Sequence, residues 1–178
     1  MFAIALWDRQ ERDLTLARDR FGEKPLYYTW AGRSLLFGSE LKALKPHPEF
    51  RGDVDRDALA LLLRHNCIPA PWSIYRGVRK LPPAHYATFR LTDLESARVT
   101  DPQAYWRLND VIERGLANQF AGTPDEAVDL LEAELSRSIA GQMLADVPLG
   151  AFLSGGVDSS TIVALMQAQS PRPVRTFT

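Results

Sequence analysis

The chain has 178 residues, 46% apolar and 24% charged, with a formal net charge of −1. This is a soluble globular composition, long enough for one domain or parts of two, and its balanced charge gives no electrostatic basis for binding nucleic acid or an acidic membrane. The one cysteine, Cys67, excludes an internal disulfide and fits a reducing cytoplasm; the apolar run Met1–Leu6 meets Asp8 and Arg9 too early for a signal peptide or membrane span.

The first part reads as strands. Phe2-Ala3-Ile4-Ala5-Leu6-Trp7 is a continuous apolar run, as expected of a strand covered on both faces. The polar turn at residues 8–13 leads into Leu14–Arg18, which returns as the second arm of a hairpin. Leu26–Trp30 and Ser34–Gly38 flank Gly32 as a second hairpin. Ser39 is placed to cap a short helix, Glu40–Leu44, stopped by Pro46 and Pro48. Asp55 caps a further helix running to about His65. The proline-rich segment from Ile68 to Pro83 reads as an ordered connection, and His85–Leu91 as one more strand. From Thr92 to Thr123 the pattern is polar and irregular, apart from Tyr105-Trp106. The expected division is therefore a first domain over residues 1–108, a linker over 109–123 and a second unit over 124–178.

That second unit opens on Thr123-Pro124-Asp125-Glu126, with an N-cap, proline at the first helical position and Glu three residues after the cap. Val128, Leu131, Leu135, Ile139 and Met143 then follow at helical spacing to about Asp146. A strand at Leu149–Leu153, a helix at Asp158–Gln169 and a strand from Val174 complete a βαβ unit with an expected parallel sheet.

Between the first strand and the helix lies Ser154-Gly155-Gly156-Val157-Asp158-Ser159-Ser160. Glycines let the backbone turn sharply and approach a ligand, and a helix start offers unpaired N–H groups and a positive dipole end. A Walker loop would end in Gly-Lys-Ser/Thr, and this one has no lysine, so it reads as the pyrophosphate loop of an enzyme that splits ATP between its α and β phosphates. Parallel sheets bind ligands beyond the carboxyl ends of their strands, where this loop sits. One βαβ unit does not close a doubly wound sheet, so the chain is expected to be a segment of a longer protein.

Several stretches together resemble the glutamine-hydrolysing asparagine synthetases. They are Met1-Phe2-Ala3-Ile4-Ala5-Leu6-Trp7-Asp8, the segment from Ala17-Arg18-Asp19-Arg20-Phe21-Gly22 through Glu23-Lys24-Pro25-Leu26-Tyr27-Tyr28, and Gly38-Ser39-Glu40-Leu41-Lys42-Ala43-Leu44. Further along come Ile74–Pro83, Tyr105-Trp106 and Asp146–Ser160, all in the family's order and spanning nearly the whole chain. The resemblance implies an α+β part followed by an α/β part: the C-terminal portion of an N-terminal-nucleophile αββα glutaminase domain, then the start of a parallel-sheet ATP-pyrophosphatase (PP-loop) domain. It implies ATP and Mg²⁺ as cofactors and ATP, aspartate and glutamine as small-molecule substrates of the parent, in a cytoplasmic enzyme with no nucleic-acid or membrane partner. A homodimer is compatible with it. The parent would adenylate aspartate to β-aspartyl-AMP, which glutamine-derived ammonia converts to asparagine, releasing AMP and pyrophosphate.

In that family the glutaminase nucleophile is a cysteine at the mature N-terminus. Met1-Phe2 matches a stretch well inside the glutaminase domain, and Cys67 has no α-amino group beside it, so no catalytic residue is assigned here and the chain alone is expected to be inactive, binding ATP weakly or not at all. Carried over by resemblance, Leu153 meets the adenine nucleotide through its backbone, and Ser154, Gly155, Gly156, Asp158, Ser159 and Ser160 form the pyrophosphate loop, with serine hydroxyls and backbone N–H groups on the phosphates. Asp158 has two readings, a Mg²⁺ ligand or a cap of the following helix. The alternatives are another amidotransferase or a β-lactam-forming synthetase of the same fold, and a non-catalytic nucleotide-binding remnant.

Among the remaining residues, Arg18-Asp19-Arg20 and Lys24 read as a solvated charge cluster at a strand end rather than a substrate contact. Tyr105-Trp106 reads as packing across the domain junction. Glu40 suits a first helical turn, with lining of an ammonia path as the alternative. His47, His65 and His85 lack metal-ligand spacing.

Overall fold

The structure, a computed structural model, describes residues 1–94 and 100–178. It forms two compact units, Met1–Arg114 and Gly115–Thr178. No described helix is long and apolar enough to cross a membrane.

In the first unit β1 (Ala3–Asp8) and β2 (Asp13–Arg18) form the first hairpin, with Ala3 opposite Arg18 and Asp8 opposite Asp13. The Asp8 carboxylate accepts the N–H groups of Gln10 and Glu11 at 2.7 and 3.0 Å, which closes the turn locally. β3 (Tyr27–Ala31) and β4 (Ser34–Gly38) form the second hairpin around Gly32, whose φ of 55° favours glycine. Helix α1 (Arg56–His65) begins where the Asp55 side chain accepts from Asp57 and Ala58, and it ends at Asn66 in the left-handed region. Two short strands, β5 (Arg79–Lys80) and β7 (Gln103–Ala104), flank β6 (His85–Arg90) in the chain. The sheets are antiparallel, in the orders β1-β2-β6-β7 and β4-β3-β5.

The two sheets share one core of Leu16, Leu26, Tyr28, Leu81, Ala87 and Phe89. The Phe89 ring of β6 meets Tyr28 and Trp30 of β3 edge to face, at centroid distances of 5.6 and 6.2 Å. Leu16 and Leu81 are fully buried, each contributing about 2 kcal/mol of apolar burial.

β1 departs from the expectation of a strand covered on both faces. Among the described residues it is the outer strand of its sheet and pairs only with β2, and Ile4 and Leu6 are 47% and 62% exposed. The short helix after β4 is a single 3₁₀ turn, Leu41–Ala43, with Glu40 rather than Ser39 at its cap and no capping side chain. Its i→i+3 bonds, Ala43 to Glu40 and Leu44 to Leu41, are what so short a run before Pro46 can close. Glu40 pairs with Lys42 at 2.7 Å, an exposed pair of little energetic weight.

Of the charged cluster after β2, Arg18 and Asp19 form a buried tie, while Arg20 and Lys24 are exposed as a solvated face would have them. Arg18 and Asp19 are only 7% and 5% exposed. Arg18 donates to the carbonyls of Lys24 and Leu81, both at 2.7 Å, and of Gly22 at 2.5 Å. Asp19 accepts the N–H groups of Lys24 and Glu23 at 2.9 Å, of Phe21 at 3.2 Å and of Phe2 at 3.3 Å. The Asp19 backbone binds Phe2 on one side and Ala84 on the other. Tyr105 donates its hydroxyl to the Arg18 carbonyl at 2.8 Å, and Trp106 stacks edge-on against Phe21 at 5.5 Å. Tyr105-Trp106 therefore closes this tie inside the first unit.

The stretch read as irregular contains helix α2 (Leu108–Ala117); residues 95–99 of it lie outside the described residues. Its apolar positions Leu108, Val111, Ile112 and Leu116 recur at helical spacing but are exposed.

The second unit contains α3 (Pro124–Gln142), β8 (Gly150–Phe152), α4 (Val157–Ala168) and β9 (Arg175–Phe177). The capping box forms, with Glu126 N–H donating to Thr123 Oγ1 at 3.3 Å and Thr123 N–H to the Glu126 carboxylate at 2.7 Å. α3 packs on α4, and of its apolar stripe only Ile139 is buried. β8 and β9 pair in parallel, Gly150 opposite Arg175 and Phe152 opposite Phe177. A Cβ on Gly150 would lie 2.5 Å from the Phe177 ring, so a larger residue there would displace that side chain.

Burial alone would raise the Asp19 carboxyl, but the N–H groups of Lys24, Glu23, Phe2 and Phe21 outweigh it and hold the group at about 2, below its ordinary 3.8. A carboxyl depressed in the folded state stabilises the fold while ionised, so this contribution is complete above about pH 4 and is lost as the pH falls through 2. Asp19→Asn turns its NH₂ end towards two backbone donors and is expected to cost about 2–3 kcal/mol at pH 7. Urea unfolding of both proteins between about pH 5 and pH 2 should show the gap closing as wild-type Asp19 protonates. Equal midpoints at neutral pH would show that the carboxylate is not the tie.

Candidate functional site

The strand-to-helix turn of the second unit brings together every residue read from the sequence as nucleotide-binding. The parallel ladder extends one residue past β8, since Leu153 N–H donates to the Phe177 carbonyl at 2.8 Å. Leu153 is half-buried at that strand end, while Ser154, Gly155, Gly156, Asp158 and Ser160 are exposed. Gly155 has φ 80°, a left-handed conformation that reverses the chain immediately after the strand. Gly156, at φ −75° and ψ 162°, is the N-cap of α4 and has no capping side chain. Ser160 N–H is bonded to the Gly156 carbonyl at 3.1 Å, so the N–H groups of Val157, Asp158 and Ser159 precede the helical ladder.

The glycines leave space on the outside of the turn. A Cβ built on Gly155 meets nothing within 4 Å, and one built on Gly156 meets only Ser154 Oγ, at 3.6 Å. Ser154 Oγ lies 3.0 Å from Ser159 Oγ, and Ser159 Oγ donates to the Gly156 carbonyl at 3.2 Å. Thr161 Oγ1 binds back to the Val157 carbonyl at 2.9 Å, which fixes the first turn of α4. The result is an exposed turn of backbone N–H groups at the positive end of a 12-residue helix, suited to an anion.

Asp158 does not cap α4, because it lies inside the first turn, one residue beyond Val157 and two beyond the N-cap. Its carboxylate is exposed and no group of three acidic, histidine or cysteine side chains gathers around a metal position among the described residues. A lone carboxylate of this kind fits Mg²⁺ only where phosphate oxygens and water complete the shell. A hollow of about 570 Å³ bounded by Met143, Leu149, Met166 and Val174 lies at the opposite, N-terminal ends of the strands. It takes no part in the turn.

Residues 1–106 match the family model described as a glutamine amidotransferase domain. The chain belongs to the glutamine amidotransferase family. Residues 130–178, which include the whole turn, match the model described as asparagine synthase. Asparagine synthetase (glutamine-hydrolysing) 3 of Bacillus subtilis strain 168 is 33% identical over 99% of this chain and 28% of its own length. A Mycobacterium tuberculosis H37Rv protein provisionally named as a glutamine-hydrolysing asparagine synthetase is 37% identical over 100% of this chain and 26% of its own. Asparagine synthetase (glutamine-hydrolysing) 2 of Bacillus subtilis is 32% identical over 100% of this chain and 24% of its own. The chain thus spans about a quarter of the length of these relatives, and its similarity to asparagine synthetases runs through both units.

The geometry at Gly155 gives a direct check. Gly155→Ala should cost about 1–2 kcal/mol from backbone strain alone, because the added Cβ clashes with nothing. Gly155→Asn, which tolerates the left-handed region, should recover much of the loss in urea unfolding. Equal losses for both would mean that φ at this position is not what selects glycine.

Proposed function

We propose that the turn at Ser154–Ser160 holds the pyrophosphate portion of ATP in a glutamine-dependent asparagine synthetase. One observation carries this reading: a Gly-Gly turn between the carboxyl end of a parallel strand and the start of α4, within the segment that matches asparagine synthase. The proposed organisation is a glutamine amidotransferase type 2 segment over residues 1–108, a linker over 109–123 and a synthetase segment over 124–178. The similarity favours this reading over another amidotransferase, a β-lactam-forming synthetase or a nucleotide-binding remnant.

The chemistry follows from the electrophile. A carboxylate resists attack by ammonia, so the side chain of aspartate must first receive an adenylate leaving group from ATP, with pyrophosphate departing. Negative charge accumulates on that departing group, and donors fixed in advance stabilise it without reorganisation. In this reading the N–H groups around Gly155, Gly156, Asp158 and Ser159, together with the Ser154 and Ser160 side chains, enclose the phosphates, while the Leu153 backbone lies against the nucleotide. Asp158 would hold Mg²⁺, which would offset phosphate charge. Ammonia released from glutamine would then displace AMP and leave asparagine.

Gly156→Val tests the assignment. The N-cap conformation suits any residue, so the turn should survive, but the side chain would project into the space left for phosphate. In the enzyme carrying this chain, ATP-dependent asparagine formation should fall by at least about 100-fold while glutamine hydrolysis continues. Asparagine formation at the wild-type rate would contradict the proposed phosphate position.

A further inference from the structure

We draw no further inference here: the strongest candidate, the outer edge of β1, where Ile4, Leu6 and Trp7 lie exposed on a strand that pairs only with β2 among the described residues, carries nothing because nothing in the structure shows what covers it.

Discussion

Asp19 and Arg18 hold the first unit together at the point where its chain segments would otherwise part. One carboxylate collects four backbone donors, from Phe2 before β1 and from Phe21 to Lys24 after β2. The adjoining guanidinium collects three carbonyls, including that of Leu81 from the far side of the core. These groups would be costly to bury unpaired, and each is nearly saturated by backbone partners. The tie fixes where β1 starts, how the turn into β3 runs and how Leu81 enters the core, and Tyr105 seals it from outside. Sheet packing through Phe89 then follows from strands already set in register.

The second unit relies on a different constraint. Its small parallel sheet has glycine at Gly150, where the Phe177 ring lies across the strand, and needs a left-handed residue at Gly155 to turn into α4. Together these aim the start of a helix at open space beyond the strand ends. A charged ligand at such a place meets fixed dipoles instead of mobile ones, which is the condition for stabilising charge that develops during a reaction.

Much of this was legible from local signals. Thr123 and Glu126 form the capping box that their spacing announced, Asp55 caps α1, and the strand–loop–helix–strand pattern pairs in parallel. The loop residues were contiguous, so reading the motif was enough to bring them to one place. Signals that depend on tertiary context were not legible. A two-residue strand such as β5 or β7 has no period, and exists only because β3 and β6 offer an edge. The apolar run of β1 resembles a buried strand, yet its exposure follows from its place at the sheet edge. Arg18 and Asp19 look like surface charges until their backbone partners, drawn from distant segments, are seen. Within the loop, sequence could not show that Asp158 falls past the N-cap.

The central claim is that residues 153–160 form an anion site at the start of α4. The most direct measurement is an amide NMR titration of the enzyme carrying this chain with millimolar inorganic pyrophosphate, with inorganic sulfate as the control anion. The account predicts shifts concentrated at the amides of Gly155 to Ser160, saturating with pyrophosphate and much weaker with sulfate. Shifts scattered over basic side chains elsewhere, or none at the turn, would contradict it.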